Sequence, residues 1–167
     1  DNISGTATGD VTFTISFDQN VSYFSSNAVS VGNGTVSSVS GSGKSYTVVV
    51  TPNADAEGNI SIAMNPNGGA KDASGNNLNI QLGSENSNAL SYSQAFDTKA
   101  PSVETISVFS TGTSNVVNTV SSTVDLKIVL SENVTGITTA DFNVSSGTID
   151  SVSGSNDTYT VAYTPSS

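Results

Sequence analysis

Apolar and polar side chains alternate along several short stretches of this chain. Val11, Phe13, Ile15 and Phe17 fall on one side, with Thr12, Thr14 and Ser16 between them. Val124, Leu126, Ile128 and Leu130 repeat the pattern, leaving Asp125 and Lys127 outward. Tyr46, Val48 and Val50 do the same, as do Tyr159, Val161 and Tyr163, and so do Ile60, Ile62 and Met64. A period of two sends successive side chains to opposite faces of a strand, so each stretch predicts a half-buried β-strand. Shorter strands are predicted at Ala28–Val31, Thr35–Ser40, Ala89–Phe96 and Ser102–Phe109. Turns rich in Gly, Asn and Ser separate them at Gly32–Gly34, Gly41–Lys44 and Asn53–Asn59. No segment holds a 3.6-residue period, and the predicted class is all-β.

The strands come in two sets. Shifting the chain by 134 − 21 = 113 positions lays Val11–Val21 on Val124–Val134, and the match runs without a gap to Pro52 on Pro165, with about four positions in ten identical. Solenoid repeats recur every ~20–50 residues, so each copy here should be a domain with its own core. Short strands with turn signals every ~8–12 residues predict an antiparallel sandwich of immunoglobulin type. The expected fold is therefore tandem immunoglobulin-like antiparallel β-sandwiches. "FDTKAPSV" (Phe96–Val103) reads as the linker, because Pro101 favours an extended Ala100. This divides the chain into modules 1–98 and 99–167. The first has no counterpart of Ser102–Phe109, and the second none of Asn53–Phe96. The expectation is a window on a longer array, or modules completed by strands from another chain.

Charge narrows the function. Fourteen acidic against four basic residues give a net charge of −10, which disfavours nucleic acid and anionic membrane surfaces. No apolar run approaches a membrane span, so no membrane insertion is expected of this segment. Without Cys there is no disulfide or zinc-thiolate site, and without His no Ser-His-Asp or Cys-His arrangement. The acid pairs sit in turns among small residues, with no Trp to stack a sugar, which argues against a glycosidase cleft. "GNG" and "GSGK" read as turns rather than phosphate loops. The residues predict a non-enzyme.

"VSGSGKSYTVVVTPNADAEGNISI", "KDASGNNL", "FDTKAP" and "SENVTGITTADFNVSSGTI" resemble the bacterial Ig-like repeats of large surface adhesins, of the calcium-dependent repeats-in-toxin and biofilm-associated-protein types. The resemblance covers essentially the whole chain. It implies an extracellular or cell-surface array that holds an adhesive tip away from the membrane, with neighbouring modules of the same polypeptide as partners. Host or cell-surface glycans and other copies of the chain are further partners to consider. A self-assembling filament or surface-layer subunit, or a loop-mediated glycan-binding module, is the alternative.

Many such repeats bind calcium where modules join, and Ca2+ takes about 6–8 oxygen ligands. Glu132 in "SEN" and Asp97 in "FDTKAP" are expected at the linker, with Asp55 and Glu57 of "NADAEGN" facing it. Four converging carboxylates would repel one another unless a cation lay between them. The competing reading is ordinary solvated turn acids, with Lys99 as partial counter-charge. A weaker second site is expected from Asp18, after the first strand, with Asp72 and Asn76 in "KDASGNNL". There Gln19 stands where the second copy has Glu132.

Overall fold

The computed structural model describes residues 5–65, 67–78, 91–108 and 123–166. The chain divides into two compact units, Asp1–Lys99 and Ala100–Ser167. The first contains β1 (Val11–Tyr23), β2 (Val29–Gly32), β3 (Gly34–Pro52), β4 (Glu57–Met64), β5 (Lys71–Asp72) and β6 (Ser91–Asp97). The second contains β7 (Val103–Val108), β8 (Val124–Leu130), β9 (Thr148–Ser155) and β10 (Thr158–Thr164). Helical structure among the described residues is limited to single 3-10 turns at Ser26–Ala28 and Thr139–Asp141. The all-β expectation holds.

In the first unit two antiparallel sheets, ordered β3-β1-β5 and β2-β4-β6, face one another. The alternation in β1 and β3 presents Val11, Phe13, Val48 and Val50 inward, and the other sheet answers with Val29, Ile60, Ile62 and Phe96. Val48, Val50 and Ile60 are 0 % exposed, so the core is a closed layer between the sheets. This is the predicted immunoglobulin-like sandwich.

Two local features differ from the sequence expectation. β1 does not stop at Phe17. It bulges between Ser16 and Val21, then runs on to pair with β5 through Val21↔Asp72 and Tyr23↔Lys71. The turn expected over Asn53–Asn59 is shorter, because Glu57–Asn59 already belong to β4 and pair with β6. Ala89 and Leu90 of the predicted final strand, and Phe109 of the next, lie outside the described residues.

β3 is a single run of 19 extended residues, yet it cannot be straight. Extended residues advance about 3.3 Å each, but a β-carbon built at Gly34 would lie 2.7 Å from the Thr51 carbonyl oxygen. One built at Gly41 would lie 2.7 Å from Tyr46 Cα. The run doubles back through Gly43 and Lys44, where the turn was expected, and Gly43 also pairs with Val21.

The second unit repeats this framework register for register. Val11↔Val50, Phe13↔Val48 and Ile15↔Tyr46 in the first unit become Val124↔Tyr163, Leu126↔Val161 and Ile128↔Tyr159 in the second. The hairpin is now β9–β10, closed at Asn156 and Asp157. Asn156 takes φ 60 where its counterpart Gly43 has φ 63, a left-handed conformation that Asn tolerates better than most residues. The sheet order is β7-β8-β10-β9. Ile128, Leu130, Tyr159 and Val161 form its core, with Val134, Ile137 and Phe142 packed against it.

Phe142–Ser145 aligns with β2 but is not a strand. β2 owes its ladder to β4, through Val29↔Met64 and Val31↔Ile62. Among the described residues of the second unit nothing pairs with Phe142–Ser145, so its backbone groups find no ladder.

Candidate functional site

The carboxylates singled out by the sequence lie in four places. Glu57 and Asp97 are direct partners at one end of the β4–β6 ladder. Like charges opposite one another in a sheet are unfavourable, and Lys99 moderates the pair, its Nζ standing 3.8 Å from Glu57 Oε1. Both ends of that ion pair are exposed, so it adds little to stability. Asp97 Oδ1 also accepts the backbone N–H of Lys99 at 3.0 Å. Asp55 stands in the turn just before β4 with φ 51.

Thr98 fixes this end of the unit. Its backbone N–H donates to Ala56 O at 2.8 Å, and its hydroxyl donates to Asn53 O at 2.7 Å. The same hydroxyl accepts the N–H of Ala56 at 3.2 Å. The turn carrying Asp55 is thereby tied to the segment carrying Asp97. Residue-type reasoning passed over Thr98, since a lone Thr beside a Pro-containing linker carries no pattern.

Glu132 belongs to the second unit and lies two residues beyond β8. The neighbouring Ser131 donates its N–H to Ser102 O at 2.9 Å, and its Oγ accepts the N–H of Ser102 at 2.9 Å. Among the described residues no group of three or more acidic, His or Cys side chains stands close enough to hold a metal ion.

Asp72 and Asn76 are engaged with each other. Asp72 Oδ1 accepts the N–H groups of Ser74 at 2.9 Å and Asn76 at 2.8 Å, while Oδ2 accepts Asn76 Nδ2 at 2.8 Å. Asn76 is thus a donor to Asp72, and the carboxylate is spent on closing its own loop. Asp18 sits in the bulged part of β1, within the strand rather than after it, and its carbonyl accepts Lys44 Nζ at 2.7 Å. An ammonium group already occupies that neighbourhood.

The side-chain amide of Asn76, its backbone N–H and those of Ser74 and Gly75 hold the Asp72 carboxyl below the usual range for aspartate. A group whose pKa is lowered by folding stabilises the loop above its unfolded pKa, and that contribution fades as pH falls through the lowered value. Protection of the Ser74 and Asn76 amides, relative to their intrinsic exchange rates, should therefore fall at acid pH in the native chain. In Asp72→Asn it should be low throughout and independent of pH. A native loop whose protection is flat down to strong acid would contradict this assignment.

One structural motif is present in both units. Tyr46 Oη donates to Val21 O at 2.7 Å, and Tyr159 Oη donates to Val134 O at 2.5 Å. The two tyrosines and the two valines are each 113 positions apart, so the repeat carried the signal. Reading these tyrosines as core filling alone missed the bond.

A family model described as bacterial Ig-like domain matches the chain twice, over residues 1–93 and 97–167. No curated protein and no solved structure matches it.

Proposed function

Because the chain belongs to the bacterial Ig-like domain family, whose members are typically non-catalytic repeats of extracellular surface proteins, we propose that its two units are spacer modules of a bacterial surface or secreted adhesin. One observation carries this reading. Across the aligned stretches Val11–Pro52 and Val124–Pro165 the strand register and the tyrosine bond recur, yet no acidic residue of either copy is matched by an acid in the other. What the two copies share is a framework. Acidic and basic side chains are not shared.

The spacer reading has a direct test in the polypeptide that carries this segment. Exchanging it for an unrelated spacer of equal length should leave adhesion intact, while deletion should lower it. Loss of adhesion on the equal-length exchange would assign binding to these units and overturn the proposal.

Calcium stiffening is the finer part of the proposal. Glu57 and Asp97, opposed across the ladder, would be ligands, with Asp55 in the turn before β4 as the remaining carboxylate of the first unit. Bound Ca2+ would supply the positive charge that Lys99 supplies only in part. Since three acidic groups do not gather among the described residues, backbone carbonyls and water must complete the shell. Calorimetric titration should show binding in the ~10⁻⁴–10⁻³ M range of extracellular modules. Glu57→Gln together with Asp97→Asn should abolish that heat. Absence of heat in the native chain would remove the metal and leave the spacer reading standing.

A further inference from the structure

An exposed Asn and an exposed hydroxyl recur in both units at positions where packing does not call for them. The offset of 113 positions lays Asn20-Val21-Ser22 on Asn133-Val134-Thr135. The residues around them differ, Asp18 and Gln19 against Ser131 and Glu132, and Tyr23 against Gly136. The two valines have an evident reason to recur, since each packs into its unit's core and gives its carbonyl to the tyrosine. Asn20, Ser22, Asn133 and Thr135 are all exposed. The Asn is kept, and the hydroxyl is kept while its side chain changes from Ser to Thr. Asn-x-Ser/Thr is the acceptor pattern for N-linked glycans.

The first unit shows how the triplet is presented. Alternate residues of extended backbone share one face and stand about 6.8 Å apart. Within β1 the buried Val21 therefore turns Asn20 and Ser22 outward together. The oxygen of the Asn20 amide is its atom nearest Gly43, 3.4 Å from where a β-carbon there would lie, which leaves the nitrogen on the side away from the hairpin. Other triplets of this pattern are less well placed. Asn33 takes φ 60 and donates its side-chain amide to Asn59 O at 2.9 Å. Asn59 is itself paired within β4, and Ser61 Oγ of its triplet lies 2.6 Å from where a β-carbon at Gly32 would stand. In the Asn156 triplet the Thr158 hydroxyl donates to Asp157 Oδ1 at 3.0 Å. Asn143 has Ser30 as its counterpart, so that triplet does not recur. Asn2-Ile3-Ser4 lies outside the described residues.

We propose that Asn20 and Asn133 are acceptors of N-linked glycan, taken from a donor sugar whose anomeric carbon carries a diphosphate ester. The side-chain nitrogen forms a bond to that carbon as the bond from the carbon to the diphosphate oxygen breaks. The diphosphate ester departs with the bonding pair, and one amide proton passes to a base of the transferase. Ser22 and Thr135 supply the hydroxyl that the transferase reads two residues beyond the acceptor. The leaving group is the same whether the ester is that of a lipid or of a nucleoside. A glycan is bulky and solubilising, which suits two positions that face solvent. The inference is independent of the spacer reading and of calcium.

The test is peptide mass mapping of the polypeptide that carries this segment, recovered from the cells that make it. Peptides containing Asn20 and Asn133 should both carry added sugar mass. Asn20→Gln and Asn133→Gln should each remove it at that position alone. Ser22→Ala and Thr135→Ala should remove it with the Asn still in place, while Thr135→Ser should keep it. These changes fall on exposed side chains, and unchanged amide protection in β1, β8 and β10 checks that the fold is intact. Sugar added one unit at a time supports a nucleotide-linked donor, and a whole oligosaccharide added in one step supports a lipid-linked one. An unmodified Asn at either position overturns the proposal. Sugar that survives Ser22→Ala and Thr135→Ala overturns it too, as does sugar confined to the other triplets.

Discussion

Ile60→Ala destabilises the first unit by about 2–5 kcal/mol, the cost of removing buried methyl and methylene groups where the surroundings relax only in part. Ile60 is fully buried and lies in the middle of β4, opposite Gln94 of β6. Its neighbours come from both sheets, with Val11, Phe13, Val48 and Val50 on the facing layer. Ladder hydrogen bonds on both sides of β4 hold the strand in place, so the layer has little freedom to collapse onto the void. The second unit should be unaffected, because its core of Ile128, Leu130, Tyr159 and Val161 shares no residue with that of the first. Denaturation followed by hydrogen exchange in each unit checks this. A loss of equal size in both units would mean that they do not melt as separate cores.

Gly154→Val should open the second unit's hairpin at a cost of about 2–4 kcal/mol, through backbone strain added to steric conflict. Gly154 has φ +138, a region that side chains with a β-carbon rarely adopt. A β-carbon there would lie 2.4 Å from Thr158 O and 2.7 Å from Tyr159 Cα. Both are backbone atoms of the facing strand and cannot swing aside. The residue displaced is Tyr159, so the change also strikes the core and the bond to Val134 O. Gly41 occupies the same position in the first unit, with φ +120 and the equivalent contacts to Ser45 O and Tyr46 Cα. Gly41→Val should therefore do to β3 what Gly154→Val does to β9 and β10. Amide protection in Thr148–Thr164 should collapse in Gly154→Val while that of Val11–Pro52 persists. A variant that melts like the native chain would refute the close approach of the two arms.

Much of this fold was legible because alternation and repetition are local or one-dimensional signals. The pattern at Val11–Phe17 and Val124–Leu130 named the inward residues, and the offset of 113 positions foretold two units of one design. What escaped the sequence depended on pairing partners distant along the chain. β1 outruns Phe17 because Lys71 and Asp72 lie beside its far end, and nothing in "DQNVSY" announces that. Phe142–Ser145 has a pattern close to that of β2, but a strand exists only where another strand completes it. The candidate site was legible in part. Glu57 and Asp97 are expected at the same end of the first unit, but with Glu57 in a turn and not in a ladder, and the roles of Asp72 and Asn76 turn on which atoms donate. A list of oxygen-bearing side chains cannot show that Asn76 gives its amide to Asp72.

The tyrosine bond shared by the two units bears on how such a chain would yield when pulled. Tyr46 is clipped to Val21 O and Tyr159 to Val134 O, in each case 25 positions back along the chain. The loop between the ends of each clip cannot straighten until the clip and its strand ladder break, and its release would then give slack of about 3.3–3.6 Å per residue straightened. A tether built of such beads lengthens in steps.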